Sequence, residues 1–314
     1  MITRCIVPLV CICMLSCGNG RQQTPPHSSK EVPPAQVPEF DGNRAFGELT
    51  KQMAFGPRVP GTSAHNQCLQ YLQTALQGTG ATIQNQPFEH TGYNGELLKM
   101  TNIFGSFETN ASTRILLVAH WDSRPQADQD PDPTKRSLPV PGADDGASGV
   151  AILLEIARHL QDHPPAVGVD MLFVDGEDYG REGDLDNYLL GTKYFVSHQP
   201  PGFKPAFGIL LDMVGDKDLE IPKEPNSLQY APDIVDLIWS TAKSLGVYQF
   251  SDRIQRAVID DHLPLNEAGI KTVDLIDFDY PPWHTTEDTA DKCSSESLQA
   301  VGRVLMQVIY TQPE

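Results

Sequence analysis

A set of carboxylate and imidazole side chains in this chain could together hold a metal ion or move protons. Two acidic pairs stand out: Glu177 with Asp178, and Asp260 with Asp261 just ahead of His262. Three further candidates lie apart in the sequence: Asp145, Asp212 and His284. Oxygen-rich clusters with one or two imidazoles hold divalent, Lewis-acidic metals for carbonyl chemistry, and we expect zinc. The residue types therefore predict a zinc enzyme that acts on an amide.

The adjacent acids Glu177 and Asp178, in FVDGED, are the strongest of these signals. Neighbouring carboxylates just past a buried strand repel one another, which is costly unless a cation or a shared proton compensates. The other positions have ordinary explanations when taken singly. His120 in AHWD could be a hydrogen-bonded structural group, and Asp144 or Asp145 in GADDGASG could equally be a helix N-cap. Their combination favours a functional site.

The elements that would position these residues alternate between strands and helices. Short apolar runs typical of buried strands are Ile115 to Ala119, Val169 to Val174, Ile209 to Leu211 and, more weakly, Thr272 to Ile276. Apolar residues recur at helical spacing in Val150 to Leu160, Ile234 to Leu245 and Leu298 to Ile309.

This alternation predicts the α/β fold class, as a three-layer α/β/α sandwich with a central, mostly parallel mixed sheet. In such sheets ligands bind beyond the carboxyl ends of the strands. Each candidate acidic group follows one of the strand runs or begins the next helix. The topology would therefore bring these groups to one edge of the sheet.

Length and composition fit one catalytic domain. The chain has 314 residues and 39% hydrophobic content, enough for a substantial core. It carries 41 acidic against 23 basic residues, a formal charge of -18 that repels phosphate backbones, so nucleic acid is not an expected partner. The acidity suits a peptide with a free amino terminus, although solubility explains it equally well.

The chain begins with what we interpret as an export signal. Arg4 is followed by the apolar run from Cys5 to Leu15, which is too short to span a bilayer and has the length of a signal-peptide core. The run ends in LSCG, which resembles a bacterial lipobox and implies a lipid on Cys17. We therefore expect residues 1–17 to be a lipoprotein signal peptide. The resemblance implies anchoring in the bacterial cell envelope, either periplasmic or surface-exposed.

Residues 18–39 are predicted to be a disordered tether, because they are rich in Pro, Gln and Ser and nearly free of large apolar groups. The catalytic domain would then occupy residues 40–314. Beyond the first 17 residues the cysteines are Cys68 and Cys293. The sequence leaves open whether these two form a bridge or remain unpaired.

Taken together, these motifs resemble the di-zinc exopeptidase superfamily, and within it the animal-type glutaminyl cyclases, which have bacterial relatives. The resemblance runs from about Phe55 to the carboxyl-terminal helix and so covers nearly the whole folded part. The motifs that carry it are AHWDS, GADDGASG, FVDGED, LLDMVGD, DDHLPL and PPWHTTED.

The resemblance implies a role for each candidate. The zinc ligands would be Asp145, Asp178 and His284, and Glu177 would be the catalytic acid and base. Asp178 stands where the family more commonly has Glu. It keeps the carboxylate but shortens its reach by one methylene, so the local backbone must come closer to the metal.

Two subfamilies compete. Aminopeptidases bind a second zinc through residues that match His120, Asp145 and Asp212, so counting ligands cannot separate the two readings. Asp260 can, because the aminopeptidases usually carry Ser or Thr there. Asp212 and Asp260, if close, can share a proton and donate hydrogen bonds to the substrate, since like charges in contact cannot both ionise cheaply. Trp283 matches the cyclase Trp, which would form an apolar wall against the substrate, although an ordinary packed aromatic remains an alternative.

The resemblance therefore implies zinc-dependent cyclisation of the amino-terminal glutamine of peptides and proteins to pyroglutamate, with release of ammonia and one zinc per chain. We expect a monomer that contacts the membrane only through the lipid on Cys17. The alternative is an aminopeptidase with two co-catalytic zinc ions. A catalytically silent binding protein is disfavoured, because it would have no physical reason to keep so costly a cluster.

Two features depart from the animal enzymes or extend beyond the motifs. Asp274 replaces a His in the strand before the WHT loop, which leaves the reaction class intact and affects rate and pH optimum. The stretch from Arg124 to Pro141 contains Asp128, Asp130 and Asp132. It could bind calcium, but Pro stands where an EF-hand needs Gly, and a solvated rim loop is the favoured interpretation.

Overall fold

A computed structural model describes residue 1, residues 37–181 and residues 183–313. The predicted signal peptide and nearly all of the predicted tether lie outside the described residues, so the boundaries at residues 17 and 39 stay predictions. In the described part of the chain, no helix is long and apolar enough to cross a membrane.

The described residues form eight α-helices and eight β-strands. The helices are Gly42–Met53 (α1), Ser63–Gln77 (α2), Ala147–Asp162 (α3), Leu190–Ser197 (α4), Pro225–Tyr230 (α5), Pro232–Ser244 (α6), His262–Glu267 (α7) and Ser295–Thr311 (α8). The strands are Thr82–Thr91 (β1), Leu97–Phe107 (β2), Arg114–His120 (β3), Gly168–Val174 (β4), Phe207–Asp212 (β5), Ile221–Lys223 (β6), Phe250–Ile254 (β7) and Thr272–Ile276 (β8).

Six strands form the central sheet, in the order β1-β2-β4-β3-β5-β8. The strands β4, β3, β5 and β8 are parallel, and β1 and β2 add an antiparallel edge. A separate parallel pair is formed by β6 and β7. The sheet is therefore mixed and mostly parallel in its centre, as predicted.

Helices cover both faces of the sheet, because alternate side chains of each strand point in opposite directions. In β3, Ile115 and Leu117 pack into a large core with residues of α1, α2, α3, α6 and α8. The intervening Leu116 and Val118 pack into a smaller core that includes Phe195 of α4. This arrangement confirms the predicted three-layer α/β/α sandwich.

All four predicted strands and all three predicted helices are present. The apolar run at residues 209–211 lies inside β5, and the weakest candidate, residues 272–276, coincides with β8. The hairpin of β1 and β2 was not predicted. The edge strand β1 is mostly polar and exposed, and β2, although mostly buried, has polar residues among its apolar ones. The two body cysteines, Cys68 and Cys293, are both buried free thiols.

A buried carboxylate in α3, that of Glu155, forms hydrogen bonds that connect α1 to α3. Glu155 is fully buried and accepts hydrogen bonds from Arg44 Nε at 2.7 Å, Arg158 Nη1 at 3.2 Å and His159 Nε2 at 3.0 Å. Burial alone would raise the pKa of Glu155, but the hydrogen bonds from His159 and Arg44 outweigh it and lower the pKa to about 2. The folded state therefore favours the ionised carboxylate.

We expect Glu155→Gln to lower the free energy of unfolding by about 1–3 kcal/mol at neutral pH, because it removes charge-assisted hydrogen bonds. A depressed pKa stabilises the fold above the ordinary value of 4.5, and that stability is lost as the pH falls toward about 2. The difference in free energy of unfolding between the unsubstituted protein and Glu155→Gln should therefore narrow as the pH falls through that range. Urea unfolding at neutral pH and at steps through that range measures it, and a constant gap would contradict the prediction.

Candidate active site

The predicted site residues meet at the carboxyl edge of the parallel strands, because β3, β4, β5 and β8 all end there. His120 ends β3, Asp212 ends β5, and Glu177 follows β4 by three positions. A cavity of about 440 Å³ opens at this edge. Seven of the eight predicted site residues line it: Asp145, Glu177, Asp178, Asp212, Asp260, Trp283 and His284. The eighth, His120, is buried and contacts Asp145 and Asp212.

Asp145, Asp178 and His284 converge on one point. One ligand atom from each lies within 4.8 Å of the others. His284 Nε2 lies 3.3 Å from Asp178 Oδ1 and 3.8 Å from Asp145 Oδ2. Asp178 Oδ2 is buried and has no hydrogen-bond partner. Two carboxylates, one imidazole and an unpartnered buried oxygen fit a divalent metal such as zinc.

A second group of possible ligands shares Asp145. His120 Nε2 lies 3.1 Å from Asp145 Oδ1 and 3.1 Å from Asp212 Oδ1, and one possible ligand atom of each residue lies within 4.8 Å of the others. Burial opposes a charge on His120, but the hydrogen-bonding carboxylates, Asp122 first among them, raise its pKa well above the ordinary value. A proton on Nε2 would be within hydrogen-bond distance of both carboxylates.

Glu177 lies beside this centre and is held through its backbone. Its amide donates to Asp122 Oδ1 at 3.1 Å, and the amide of Asp178 donates to Asp122 Oδ2 at 3.3 Å. Burial, followed by the charge of Asp178, raises the pKa of Glu177 well above its ordinary value. A carboxyl group with a raised pKa can both accept and return a proton near neutral pH.

Asp212 and Asp260 face the same cavity from β5 and from the segment before α7. Burial raises the pKa of Asp212 to about 6, against the hydrogen bond with His120. Burial and then the charge of Asp212 raise the pKa of Asp260 to about 7. The charge of Asp212 therefore makes ionisation of Asp260 more costly, as expected where two carboxyl groups compete for one proton.

Asp274, for which the sequence analysis expected an effect on rate and pH optimum, lies in β8 and pairs with Leu210 of β5. Its Oδ2 lies 3.5 Å from His262 Nδ1, and His262 Nε2 lies 3.3 Å from Glu224 Oε2. Burial, followed by the charge of Asp260, raises the pKa of Asp274 well above its ordinary value. Asp274 is therefore part of the acidic surroundings of Asp260 and lies outside the predicted ligand set.

Trp283 and His284 form one wall of the cavity. Their rings stack with centroids 3.7 Å apart, and Phe278 meets Trp283 edge-on at 5.0 Å. His284 has a φ of 56°, and Met213, directly after Asp212, has a φ of 46°. Left-handed backbone is unfavourable for such side chains and concentrates at functional sites. The backbone is therefore strained at His284 and at Met213, the residue directly after Asp212.

Support for Asp145 comes from residues to which the sequence analysis assigned no role. Asp288, at the end of PPWHTTED, accepts from the amides of Asp144 at 2.9 Å and Asp145 at 3.3 Å. Neither Asp144 nor Asp145 caps α3, whose first turn follows Gly146 without a side-chain cap. Asp144 Oδ1 instead accepts from the amide of Gly215 at 2.7 Å. The acidic turn therefore serves tertiary contacts.

Arg58 is a second supporting residue that was missed. Its guanidinium is fully buried and donates to the carbonyls of Trp121 at 3.0 Å, Pro141 at 2.9 Å and Gly142 at 2.6 Å. It thereby joins the segment after β3 to the turn that carries Asp145. The stretch FGPRVPG, within the family resemblance, was the available signal, but its role depends on contacts distant in sequence.

Comparison with known proteins agrees with this geometry. The model of peptidase family M28 matches residues 102–309. The chain is similar to the glutaminyl cyclase of Bacteroides thetaiotaomicron, crystallised with N-acetylhistamine (41% identity, TM-score 0.86, 88% of this chain and 100% of that one). It is similar to the glutaminyl cyclase of Tannerella forsythia (42%, TM-score 0.84, 88% and 100%). It is also similar to a Zn-dependent exopeptidase from Parabacteroides distasonis (40%, TM-score 0.86, 88% and 100%).

The matched segment of the family model contains all eight predicted site residues, and the similarity to the solved structures extends along nearly their whole length. The chain therefore belongs to peptidase family M28, in the part of it that includes the bacterial glutaminyl cyclases.

Proposed function

We propose that this protein is a zinc-dependent glutaminyl-peptide cyclotransferase. It converts the amino-terminal glutamine of a peptide or protein to pyroglutamate and releases ammonia. The observation that carries the proposal is the similarity to two bacterial glutaminyl cyclases along their whole length, together with Asp260 at the cavity beside Asp212.

Asp145, Asp178 and His284 would hold a single zinc ion, which when bound supplies a Lewis acid that polarises a carbonyl oxygen. The unpartnered Oδ2 of Asp178 supports this assignment. One ion per chain is proposed because a couple of Asp212 and Asp260 that retains a proton would be a poor second metal site. His120 Nε2 lies 3.1 Å from both Asp145 and Asp212. With a proton on that nitrogen, the second group of possible ligands is satisfied without a metal.

Glu177 moves the proton. The α-amine of the substrate attacks the γ-carbon of its own side chain, and Glu177 accepts one proton from that nitrogen. The bond between the γ-carbon and the amide nitrogen breaks, and Glu177 returns the proton to the departing nitrogen, which leaves as ammonia. Because attack is intramolecular, the substrate already holds the reacting atoms close together.

Asp212 and Asp260 hold the leaving group. A couple that retains one proton offers both a donor and an acceptor, and so can orient an amide nitrogen. Trp283 and Phe278 supply an apolar wall next to the glutamine side chain. The cavity is open at its rim, so the rest of a peptide can extend into solvent.

The test is incubation of the purified, zinc-loaded protein with a peptide that begins with Gln, followed by mass spectrometry and an ammonia assay. We expect a mass loss equal to one ammonia with the peptide otherwise intact. Release of free glutamine would instead indicate an aminopeptidase, the second candidate, which is supported by the Zn-dependent exopeptidase similarity and by the paired ligand groups. Two zinc ions per chain would also indicate an aminopeptidase.

We further propose that the mature protein is held in the cell envelope through a lipid on Cys17, on the strength of LSCG after the apolar run. Detergent phase partitioning of the full-length protein, with Cys17→Ser as comparison, tests this. The proposal predicts that the unsubstituted protein enters the detergent phase and the variant stays in the aqueous phase. Equal partitioning would contradict it.

A further inference from the structure

The loop from Arg124 to Pro141 is only partly the solvated rim predicted from its composition. Its middle, residues 131–134, is exposed. Its first part is not: Arg124 is 2% exposed and Asp130 is 1% exposed. A buried arginine needs a reason, because an uncompensated buried charge is costly.

Arg124 contacts two carboxylates at once. Nε and Nη2 donate to the two oxygens of Asp128, at 3.0 and 2.6 Å. Nη1 donates to Asp178 Oδ1 at 2.7 Å. The guanidinium lies over the ring of Tyr188, 5.4 Å from its centre. The planar fork is therefore fixed on three sides, a geometry that arginine forms and lysine does not.

One of these carboxylates belongs to the ligand set. With Arg124 bound at Oδ1, the oxygen of Asp178 that remains without a partner is Oδ2. The guanidinium thus selects which oxygen of Asp178 is free.

The other carboxylate lies beside the imidazole ligand. Asp128 Oδ1 is 3.6 Å from His284 Nδ1, slightly too long for a hydrogen bond and close enough for the carboxylate to attract an Nδ1–H group. The opposite nitrogen, Nε2, is the one directed at Asp145 and Asp178. A carboxylate at Nδ1 is the usual means of fixing the tautomer and ring orientation of a metal-bound histidine.

The next two residues of the loop hold the same segment through its backbone. The amide of Gln129 donates to the carbonyl of His284 at 3.2 Å. Asp130 Oδ2 accepts from the amide of Thr286 at 3.0 Å and from its hydroxyl at 2.7 Å. The loop therefore supports both the strained backbone of His284 and the imidazole it carries.

We infer that Arg124 and Asp128 are positioning residues of the metal centre: Arg124 orients Asp178, Asp128 orients His284, and the ion pair between them links the two ligands. This inference rests on the proposed function, because it takes Asp178 and His284 as ligands. It predicts that zinc affinity depends on side chains that do not touch the metal.

The experiment measures the zinc dissociation constant of the metal-free protein by competition with a fluorescent chelator. We expect Asp128→Asn and Arg124→Gln to weaken zinc binding by roughly 10- to 100-fold. Arg124→Lys keeps the charge but cannot form the fork, so its affinity should lie between those of Arg124→Gln and the unsubstituted protein. Asp132→Asn is the matched control, because Asp132 is exposed in the same loop and, among the described residues, its side chain accepts hydrogen bonds from Thr134 alone.

Thermal unfolding of each metal-free variant separates positioning from folding. A purely structural role would lower the unfolding temperature and leave the zinc dissociation constant within about twofold of the unsubstituted value, and that result would overturn the inference. If Arg124→Gln does not fold, Asp128→Asn and Arg124→Lys still give the answer.

His284→Ala distinguishes this inference from the proposed function. If that variant loses zinc while the Arg124 and Asp128 variants bind it normally, the inference fails and the ligand assignment stands. If His284→Ala binds zinc as tightly as the unsubstituted protein, the ligand assignment fails and the inference falls with it.

Discussion

Replacing Glu177 with Gln is expected to lower ammonia release from a Gln-initiated peptide by roughly 10²-fold or more, with zinc still bound. The substitution keeps the shape of the side chain and removes its capacity to take a proton. The backbone of Glu177 stays anchored, because its hydrogen bond to Asp122 comes from the amide. The loss should therefore appear in turnover more than in binding.

Steady-state kinetics and zinc content of the two proteins measure this effect. Glu267→Gln is the matched control, since Glu267 is exposed on α7 and outside the cavity. We expect the control to react at the unsubstituted rate. A fully active Glu177→Gln protein would show that another group carries the proton. If the Glu177→Gln protein failed to bind zinc, Glu177 would be reassigned as a metal ligand.

Replacing Asp260 with Ser is the change with the second largest expected effect. It removes a carboxyl group whose ionisation opposes that of Asp212, and it introduces one of the two residues that the family resemblance associates with the aminopeptidases. Asp212 would then be more acidic and less able to donate a hydrogen bond to the leaving nitrogen. We expect cyclisation to fall by roughly 10²-fold, the size typical for loss of one preorganised donor.

Cyclisation rate and zinc stoichiometry are measured together for Asp260→Ser. Asp279→Asn serves as control, because Asp279 is exposed and pairs with Arg253. If the variant keeps its cyclisation rate, the couple has no part in the reaction. A second zinc in the variant would mean that Asp260 excludes a metal that Asp212 and His120 could otherwise bind.

Prediction of the central strands and helices succeeded because the hydrophobic pattern of each segment indicates which of its faces are buried. The run at residues 115–119 is apolar throughout, so it can only be covered on both faces, and the helical spacing in residues 150–160 leaves one face apolar. The edge hairpin of β1 and β2 failed the same test. Its first strand, β1, has few apolar residues, and the register that pairs Thr82 with Ser106 at the open end of the hairpin has no local signal in the sequence.

The candidate site was predictable to the extent that the parallel sheet brings its strand ends together. Asp145, Glu177, Asp212 and His284 needed no contact information to be grouped, because each lies at or just beyond such an end, or before the next helix. Arg124 was different. It was interpreted as part of a rim loop, because no sequence pattern indicates its hydrogen bonds to Asp128 or its contact with Asp178, 54 positions away.

Residue type and order alone were thus enough for the layered fold and for the group of carboxylate and imidazole side chains at the sheet edge. Hydrophobic period is a local property of each segment, and the alternation of strands and helices can be seen along the chain. Which oxygen of Asp178 is free, how His284 is turned, and why Asp212 and Asp260 resist ionising together depended on distances and burial. Those distances and burials exist only once segments far apart in sequence pack together. In such a buried site, each charged group changes the free energy of ionising its neighbours.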